Sequence, residues 1–171
     1  MCSILFTSKP IENLDYVNYF NKFRGPDNTN SVNISGYTFV HNLLSITGTF
    51  TIQPFVVGDV VCIYNGEIYN YKEFGDYKSD GEAIIPLYLE HGEKFTSLLD
   101  GEFSILLVDF SKNKMIVSTD VFATKPLWVS IEDGQVGIAS YESAIKRLGF
   151  KNIQKVEANK TFVYNLQNLS L

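Results

Sequence analysis

Val60-Val61-Cys62-Ile63-Tyr64-Asn65-Gly66-Glu67-Ile68-Tyr69-Asn70 is the stretch on which the rest of the chain turns. An apolar run rich in β-branched residues ends in Asn-Gly-Glu and gives way to polar and aromatic side chains. Such a run reads as a buried strand that delivers a carboxamide, a bare backbone N–H and a carboxylate to one edge of a sheet. Gly66 lets the backbone come close to a ligand, or take a positive φ, with no side chain in the way. An amide side chain beside a glycine N–H is a pair of donors suited to a developing oxyanion. Asn-Gly is also the strongest short hairpin signal, and on this stretch alone the turn reading stands first.

Around that stretch lies a chain of 171 residues, the size of one domain spanning 1–171. A hydrophobic content of 45% and a charged content of 19% are ordinary for a globular protein. A net charge of −5 with no basic cluster argues against a nucleic-acid partner. No apolar run approaches the ~20 residues that span a bilayer, so no membrane partner is expected. The N-terminus, MCSILFTSKP, has no basic region ahead of its short apolar run and does not read as a signal peptide. Cys2 and Cys62 are accordingly expected to be reduced thiols in a cytoplasmic protein, with Cys62 a small core residue.

Working outward, Cys2–Thr7 reads as a buried first strand. Pro10 opens a helix with Leu14, Val17, Phe20 and Phe23 on one apolar face, stopped by Arg24-Gly25-Pro26-Asp27. Asn28–Ser35 reads as a polar loop. Strands are expected over Tyr37–Thr47 and Phe55–Tyr64, with Gly58-Asp59 as a turn. Ser79-Asp80-Gly81-Glu82 has capping-box spacing and opens a helix to about Glu90, kinked by Pro86 and ended by Gly92. A short helix near Phe95–Leu99 precedes a hairpin of Gly101–Phe110 with Met115–Thr119. Leu127–Ile131 and Val136–Ala139 bracket Asp133-Gly134, a second hairpin. A short helix at Tyr141–Leu148 and one or two strands to Tyr164 complete the sequence. One α+β domain, with helices flanking stacked antiparallel sheets, fits this order.

Cys2 becomes N-terminal if Met1 is removed, which a small second residue generally permits. The freed α-amine, with a reference pKa near ~7.7–8.0, is suited to general-base work at neutral pH. One residue then carries a thiol nucleophile and its own base.

The motifs Met1-Cys2-Ser3-Ile4, Arg24-Gly25-Pro26-Asp27, His41-x-x-Leu44-Ser45-Ile46, Gln53-Pro54, Asn65-Gly66-Glu67-Ile68-Tyr69-Asn70, Ser79-Asp80-Gly81-Glu82 and Leu99-x-Gly101-x-Phe103 occur in that order. Together they resemble the glutaminase domain of class II glutamine amidotransferases, of the asparagine-synthetase type, over nearly the whole sequence. The resemblance implies an N-terminal-nucleophile hydrolase fold, a four-layer αββα sandwich. It implies that Cys2 attacks the side-chain amide of glutamine, that Asn65 and Gly66 stabilise the oxyanion, and that ammonia leaves behind a thioester which water cleaves. Leu43, Leu44, Ser45, Ile46 and Thr47 would line the pocket, and Glu67 and Asp80 would hold the substrate's ammonium end. It also puts the oxyanion reading of Asn65-Gly66 ahead of the hairpin. Asp80 has a plainer role open to it, as a first-turn residue complementing a helix dipole. Arg24 and Asp27 read as a pair that fixes a loop. No cofactor and no metal site is expected.

Two departures qualify the expectation. The family has His-x-Arg-Leu-Ser-Ile, its Arg gripping the substrate α-carboxylate, where this protein has Leu43; Lys72 or Lys78 would have to substitute. Nothing matches the Ser-Gly-Gly-x-Asp-Ser loop of an ATP-pyrophosphatase domain. The leading expectation is a stand-alone glutaminase that passes ammonia to a separate ATP-dependent synthetase subunit. The alternatives are a non-catalytic relative that binds another ligand or partner, and an amidohydrolase whose substrate lacks the α-carboxylate.

Overall fold

Five consecutive buried residues form the first strand, so residue 2 stands at the mouth of a sheet. The structure, a computed structural model, describes residues 1–46 and 49–171. Thr47, one of the expected pocket-lining residues, lies outside the described residues. In order of sequence the elements are β1 (Ser3–Thr7), α1 (Leu14–Val17), α2 (Tyr19–Arg24), β2 (Asn28–Ile34), β3 (Tyr37–Leu43), β4 (Phe55–Val57) and β5 (Val60–Ile68). Then follow α3 (Ile84–His91), β6 (Gly101–Asp109), β7 (Lys114–Thr119), β8 (Trp128–Glu132), β9 (Gln135–Ala139), α4 (Glu142–Arg147), β10 (Gln154–Lys155) and β11 (Thr161–Asn165).

The strands make two antiparallel sheets, ordered β10-β8-β9-β1-β3-β2 and β11-β7-β6-β5-β4. Strand alternation sorts the side chains into layers. Ile4, Phe6 and Phe39 of the first sheet meet Val61, Ile63, Leu106 and Val117 of the second, which makes the central core. The opposite face of the second sheet, including Cys62, Tyr64, Ile105 and Leu107, packs on Ile84, Ile85 and Tyr88 of α3. Leu5, Val40 and Ala139, on the opposite face of the first sheet, are covered by Val17, Ala144 and Ile145 from α1 and α4. This is the expected αββα sandwich, with no helix long and apolar enough to cross a membrane among the described residues.

Several local expectations are corrected. The helix begins at Leu14, not Pro10, because the Asn13 carboxamide accepts the Tyr16 N–H at 3.0 Å and caps it. The backbone breaks at Asn18 between α1 and α2, which turns the expected apolar face outward. Only Val17 of its four members is buried, and Phe23 is 68% exposed. Asn28–Ile34 is not a loop but the edge strand β2, paired along its length with β3 and alternating half-buried with exposed positions. Polar residues suit an edge with one wetted face. Strand β3 ends at Leu43, short of Thr47. Asn65-Gly66 is not a hairpin turn: β5 continues through it to Ile68, with Asn65 opposite Ser104 and Gly66 opposite Phe103. The segment from Asp80 opens as a tight 3-10 turn to Ala83 before α3 begins. Pro86 falls in the first turn of α3, where its missing N–H costs no helical bond.

Candidate active site

Cys2 is held by what happens on either side of it. Ser3 is opposite Asn42 in the β1–β3 ladder. The Asn42 amide is buried and fully used: its Nδ2 donates to Ser3 Oγ (3.0 Å) and Asn18 Oδ1 (2.9 Å). Its Oδ1 accepts from Asn18 Nδ2 (2.7 Å) and Thr29 Oγ1 (2.9 Å). Ser3 Oγ in turn donates to the Asn21 carbonyl at 2.8 Å. The start of β1 is thus pinned to β3, β2 and α2. At the end of β3 the Leu44 N–H points at the Cys2 sulfur, 3.4 Å away.

The Arg24-Gly25-Pro26-Asp27 loop secures that end. Asp27 accepts the Ser45 N–H on its carboxylate at 2.8 Å and donates its own N–H to the Leu43 carbonyl at 3.0 Å. A Cβ on Gly25 would lie 2.1 Å from the Asn42 carbonyl oxygen, so only glycine lets the loop press onto β3. Arg24 stacks on Tyr141 and donates to Met1 Sδ at 3.5 Å. Arg24 and Asp27 do not form the expected pair among the described residues; each fixes the loop through its own partners.

Opposite Cys2 lies β5, whose two edges differ. Phe103 exchanges hydrogen bonds with Asp120 on the β7 side, its N–H donating to the carboxylate and its carbonyl accepting the Asp120 N–H. Alternation therefore turns Glu102 and Ser104, not Phe103, toward β5, and puts the N–H groups of Asn65 and Glu67 in the ladder. The N–H groups of Tyr64, Gly66 and Ile68 point the other way, beyond the end of β4. Tyr64 N–H is taken by Gln53 Oε1 at 2.7 Å and Ile68 N–H by Asp80 Oδ2 at 2.8 Å. Gly66 N–H, between them, meets no acceptor among the described residues. A Cβ on Gly66 would sit 2.2 Å from the Glu102 carbonyl oxygen, so the residue must be glycine for β5 and β6 to pair here.

Side chains alternate in the same way. Val61 and Ile63 point into the core between the sheets, so Asn65 and Glu67 face the same side, where that core opens into a cleft. Asn65 is 1% exposed, and neither Oδ1 nor Nδ2 has a partner among the described residues. A buried amide without partners costs about 1–3 kcal/mol unless a ligand supplies them. Glu67 lies directly across the ladder from Glu102, two like charges on one face.

The cleft is about 90 Å³ and gathers nearly all the expected site residues: Cys2, Leu43, Leu44, Ser45, Ile46, Asn65, Gly66, Glu67 and Asp80. Asp80 is tied down, accepting from Ile68 N–H and, at 2.9 Å, Gly81 N–H. A Cβ on Gly81 would lie 2.3 Å from the Tyr64 ring, so the Ser-Asp-Gly-Glu turn is pressed against β5. Leu43 is buried and presents hydrocarbon to the cleft. Lys72 and Lys78 do not line it; they border an adjoining groove. The cation that does is Lys125, buried and paired with Glu102 at 2.8 Å. Sequence reasoning missed Lys125, Glu102 and Gln53 as site residues; a lysine followed by proline after a strand gave no sign of pointing inward.

Burial pushes the Cys2 thiol above its ordinary value, while the Leu44 N–H pulls it back. Burial lowers the N-terminal amine, which belongs to Met1 at the cleft mouth. Tyr64 is held well above the usual phenol range by burial and by the nearby Asp80. Among the described residues no cluster of acidic, histidine or cysteine side chains has metal-binding geometry, and Cys62 is a buried free thiol in the core.

The two stacked antiparallel sheets with helices on both outer faces are a fold that solved amidotransferases also have. The B. subtilis glutamine phosphoribosylpyrophosphate amidotransferase shares it: TM-score 0.79, 17% identity, 99% of this protein and 48% of that one. A glutamine aminotransferase class-II domain protein from Silicibacter pomeroyi matches with TM-score 0.52 and 10% identity, covering 96% of this protein and 95% of that one. Residues 1–170 match the family model described as a glutamine amidotransferase domain, and the chain belongs to that family. Its curated relatives are of the asparagine-synthetase type. The putative asparagine synthetase [glutamine-hydrolyzing] 1 of Methanocaldococcus jannaschii is 35% identical over 145 residues, 78% of this protein and 26% of the relative. The human asparagine synthetase [glutamine-hydrolyzing] is 34% identical over 133 residues, 68% of this protein and 24% of the relative. The chain spans about a quarter of the length of these relatives.

Proposed function

We propose that the domain hydrolyses the side-chain amide of a glutamine-type substrate at Cys2, after removal of Met1, and releases ammonia to a synthetase partner. The observation that carries this reading is the unpartnered Asn65 amide, beside a Gly66 N–H that faces away from the β5–β6 ladder, in the cleft that holds the Cys2 thiol. The freed α-amine of Cys2 takes the thiol proton, and the sulfur adds to the amide carbon. Negative charge gathers on the carbonyl oxygen, which Asn65 Nδ2 and Gly66 N–H stabilise. The bond to the amide nitrogen breaks as the amine returns the proton to it, and ammonia leaves. Water then cleaves the thioester to a carboxylate and restores the thiol. The Asn42 network and the Leu44 N–H hold the nucleophile in place throughout.

The relatives' names, asparagine synthetase [glutamine-hydrolyzing], support the ammonia-donating role. Intact mass after exposure to a glutamine-mimicking electrophile tests the chemistry. One adduct is expected on protein lacking Met1, retained in Cys62→Ala and lost in Cys2→Ala. An adduct that survives Cys2→Ala ends the reading. A second reading, an amide without an α-carboxylate, is favoured by buried Leu43.

A further inference from the structure

The charges that line the cleft do not match free glutamine. Among the described residues three carboxylates, Glu67, Asp80 and Glu102, stand against one ammonium side chain, that of Lys125. Lys125 is committed to Glu102, and Asp80 to the N–H groups of Ile68 and Gly81. Glu67 faces Glu102 across the ladder, and its carboxylate has no ion-pair or hydrogen-bond partner among the described residues. A cross-strand pair of carboxylates of which only Glu102 holds a cation calls for a second cation at Glu67. A substrate ammonium would meet Glu67. A substrate carboxylate would meet no uncommitted side-chain cation, and beside it the hydrocarbon of Leu43. The unpartnered Asn65 amide, 1% exposed, fixes where the scissile amide sits.

Glu67, Ser79 and Asp80 also form one wall of an adjoining groove of about 370 Å³, which Tyr69, Tyr71, Lys72 and Lys78 complete. A substrate that continues past its α-carbon on the Glu67 side therefore has a place to go. We infer, resting on the reading of the cleft given above, that the substrate is a glutamine residue at the N-terminus of a peptide. Its α-amino group is free and pairs with Glu67; its α-carboxyl is neutralised in a peptide bond; the next residue lies in the groove. Cys2 adds to the carbonyl carbon of the glutamine carboxamide, the bond from that carbon to the amide nitrogen breaks, ammonia departs, and water releases an N-terminal glutamate. The peptide bond is untouched.

The test is kcat/KM by ammonia release, with product mass, for four compounds: L-glutamine, L-glutaminamide, Gln-Gly-Gly and N-acetyl-Gln-Gly-Gly. Gln-Gly-Gly is expected to exceed free glutamine by at least about tenfold, since the free carboxylate would be buried without a partner. It is also expected to exceed glutaminamide through KM, and acetylation should remove the activity. Glu67→Gln should raise KM for Gln-Gly-Gly more than it lowers kcat, and Leu43→Arg should shift preference toward free glutamine. Free glutamine matching or beating Gln-Gly-Gly overturns the inference and leaves the catalytic reading standing. Glutaminamide matching the peptide, or full activity on the acetylated peptide, also overturns it. If none of the four is cleaved, the catalytic reading fails and the inference with it.

Discussion

Two buried asparagines, Asn42 and Asn65, make opposite use of the same amide. Asn42 spends both its protons and its oxygen on Ser3, Asn18 and Thr29, and so locks the start of β1 to its neighbours. Asn65, equally buried, spends none among the described residues. Folding alone favours the first arrangement and penalises the second. A satisfied amide is therefore read as structure, and an orphaned one that lines a cleft as chemistry held in reserve. The cost of leaving Asn65 unpaired is the kind of local destabilisation that sites retain for function.

Mutations can break that contrast. The largest effect should come at the proposed nucleophile: Cys2→Ala should abolish amide hydrolysis, while Cys62→Ala should leave most of it, measured as ammonia release. Asn65→Ala should lower kcat by about 10²–10³ with a modest change in KM, and thermal unfolding should show no loss of stability. A change confined to KM would mean that Asn65 binds substrate without stabilising the transition state.

His41 sharpens the contrast, because its buried Nε2 also lacks a partner among the described residues yet lies outside the cleft. Burial lowers its pKa from 6.5 to about 4. The unfolded state therefore takes up the proton first. Stability from this group is complete above pH 6.5 and is lost as pH falls toward 4, by roughly 3 kcal/mol at about 1.36 kcal/mol per pH unit. Denaturant titrations of the wild type and His41→Gln across that window should show a shallower slope for the variant.

Asn42→Leu should behave as the mirror image of Asn65→Ala. It strands Asn18, Ser3 and Thr29 and should cost at least about 2 kcal/mol of stability by chemical denaturation. If Asn42→Leu were neutral in stability, the division between the two amides would collapse. The smallest expected change is at Leu43. Leu43→Arg should lower KM for free glutamine by at least about tenfold, the return of one charge-assisted pair worth roughly 1.4 kcal/mol. No change would mean that Leu43 is only a wall of the cleft.

Much of this was legible in the residues. The apolar runs of β1, β5, β6 and β7 announce buried strands. The ordered motifs, from Cys2 to Phe103, point to the fold and to the residues that meet in the cleft. What stayed hidden depends on contacts distant in sequence. Strand β2 is written in Asn, Thr and Ser, which carry no apolar period, and only its ladder with β3 makes it a strand. The break between α1 and α2 follows from Asn18 being drawn into the Asn42 network. Lys125 and Glu102 sit 23 residues apart in the numbering and are joined only by the way β6 and the segment after β7 close around the cleft. Asn65-Gly66 was the ambiguous case, because local propensity favours a turn and the pairing of nine positions with β6 overrides it.

The unpaired edge of β5 also makes the strand a built-in reporter. Amides locked in a ladder exchange their hydrogens with solvent only when the sheet opens, whereas an amide that faces a cleft exchanges from the native state. Along β5 the Asn65 and Glu67 amides belong to the first kind and Gly66 to the second. Exchange should therefore run slow, fast, slow over three successive residues. An occupant whose oxygen accepts the Gly66 N–H would flatten that pattern without disturbing its neighbours. Residue-resolved exchange at this one glycine thus separates occupancy of the proposed oxyanion position from any tightening of the domain at large, and it can be read in a Cys2→Ala protein as well.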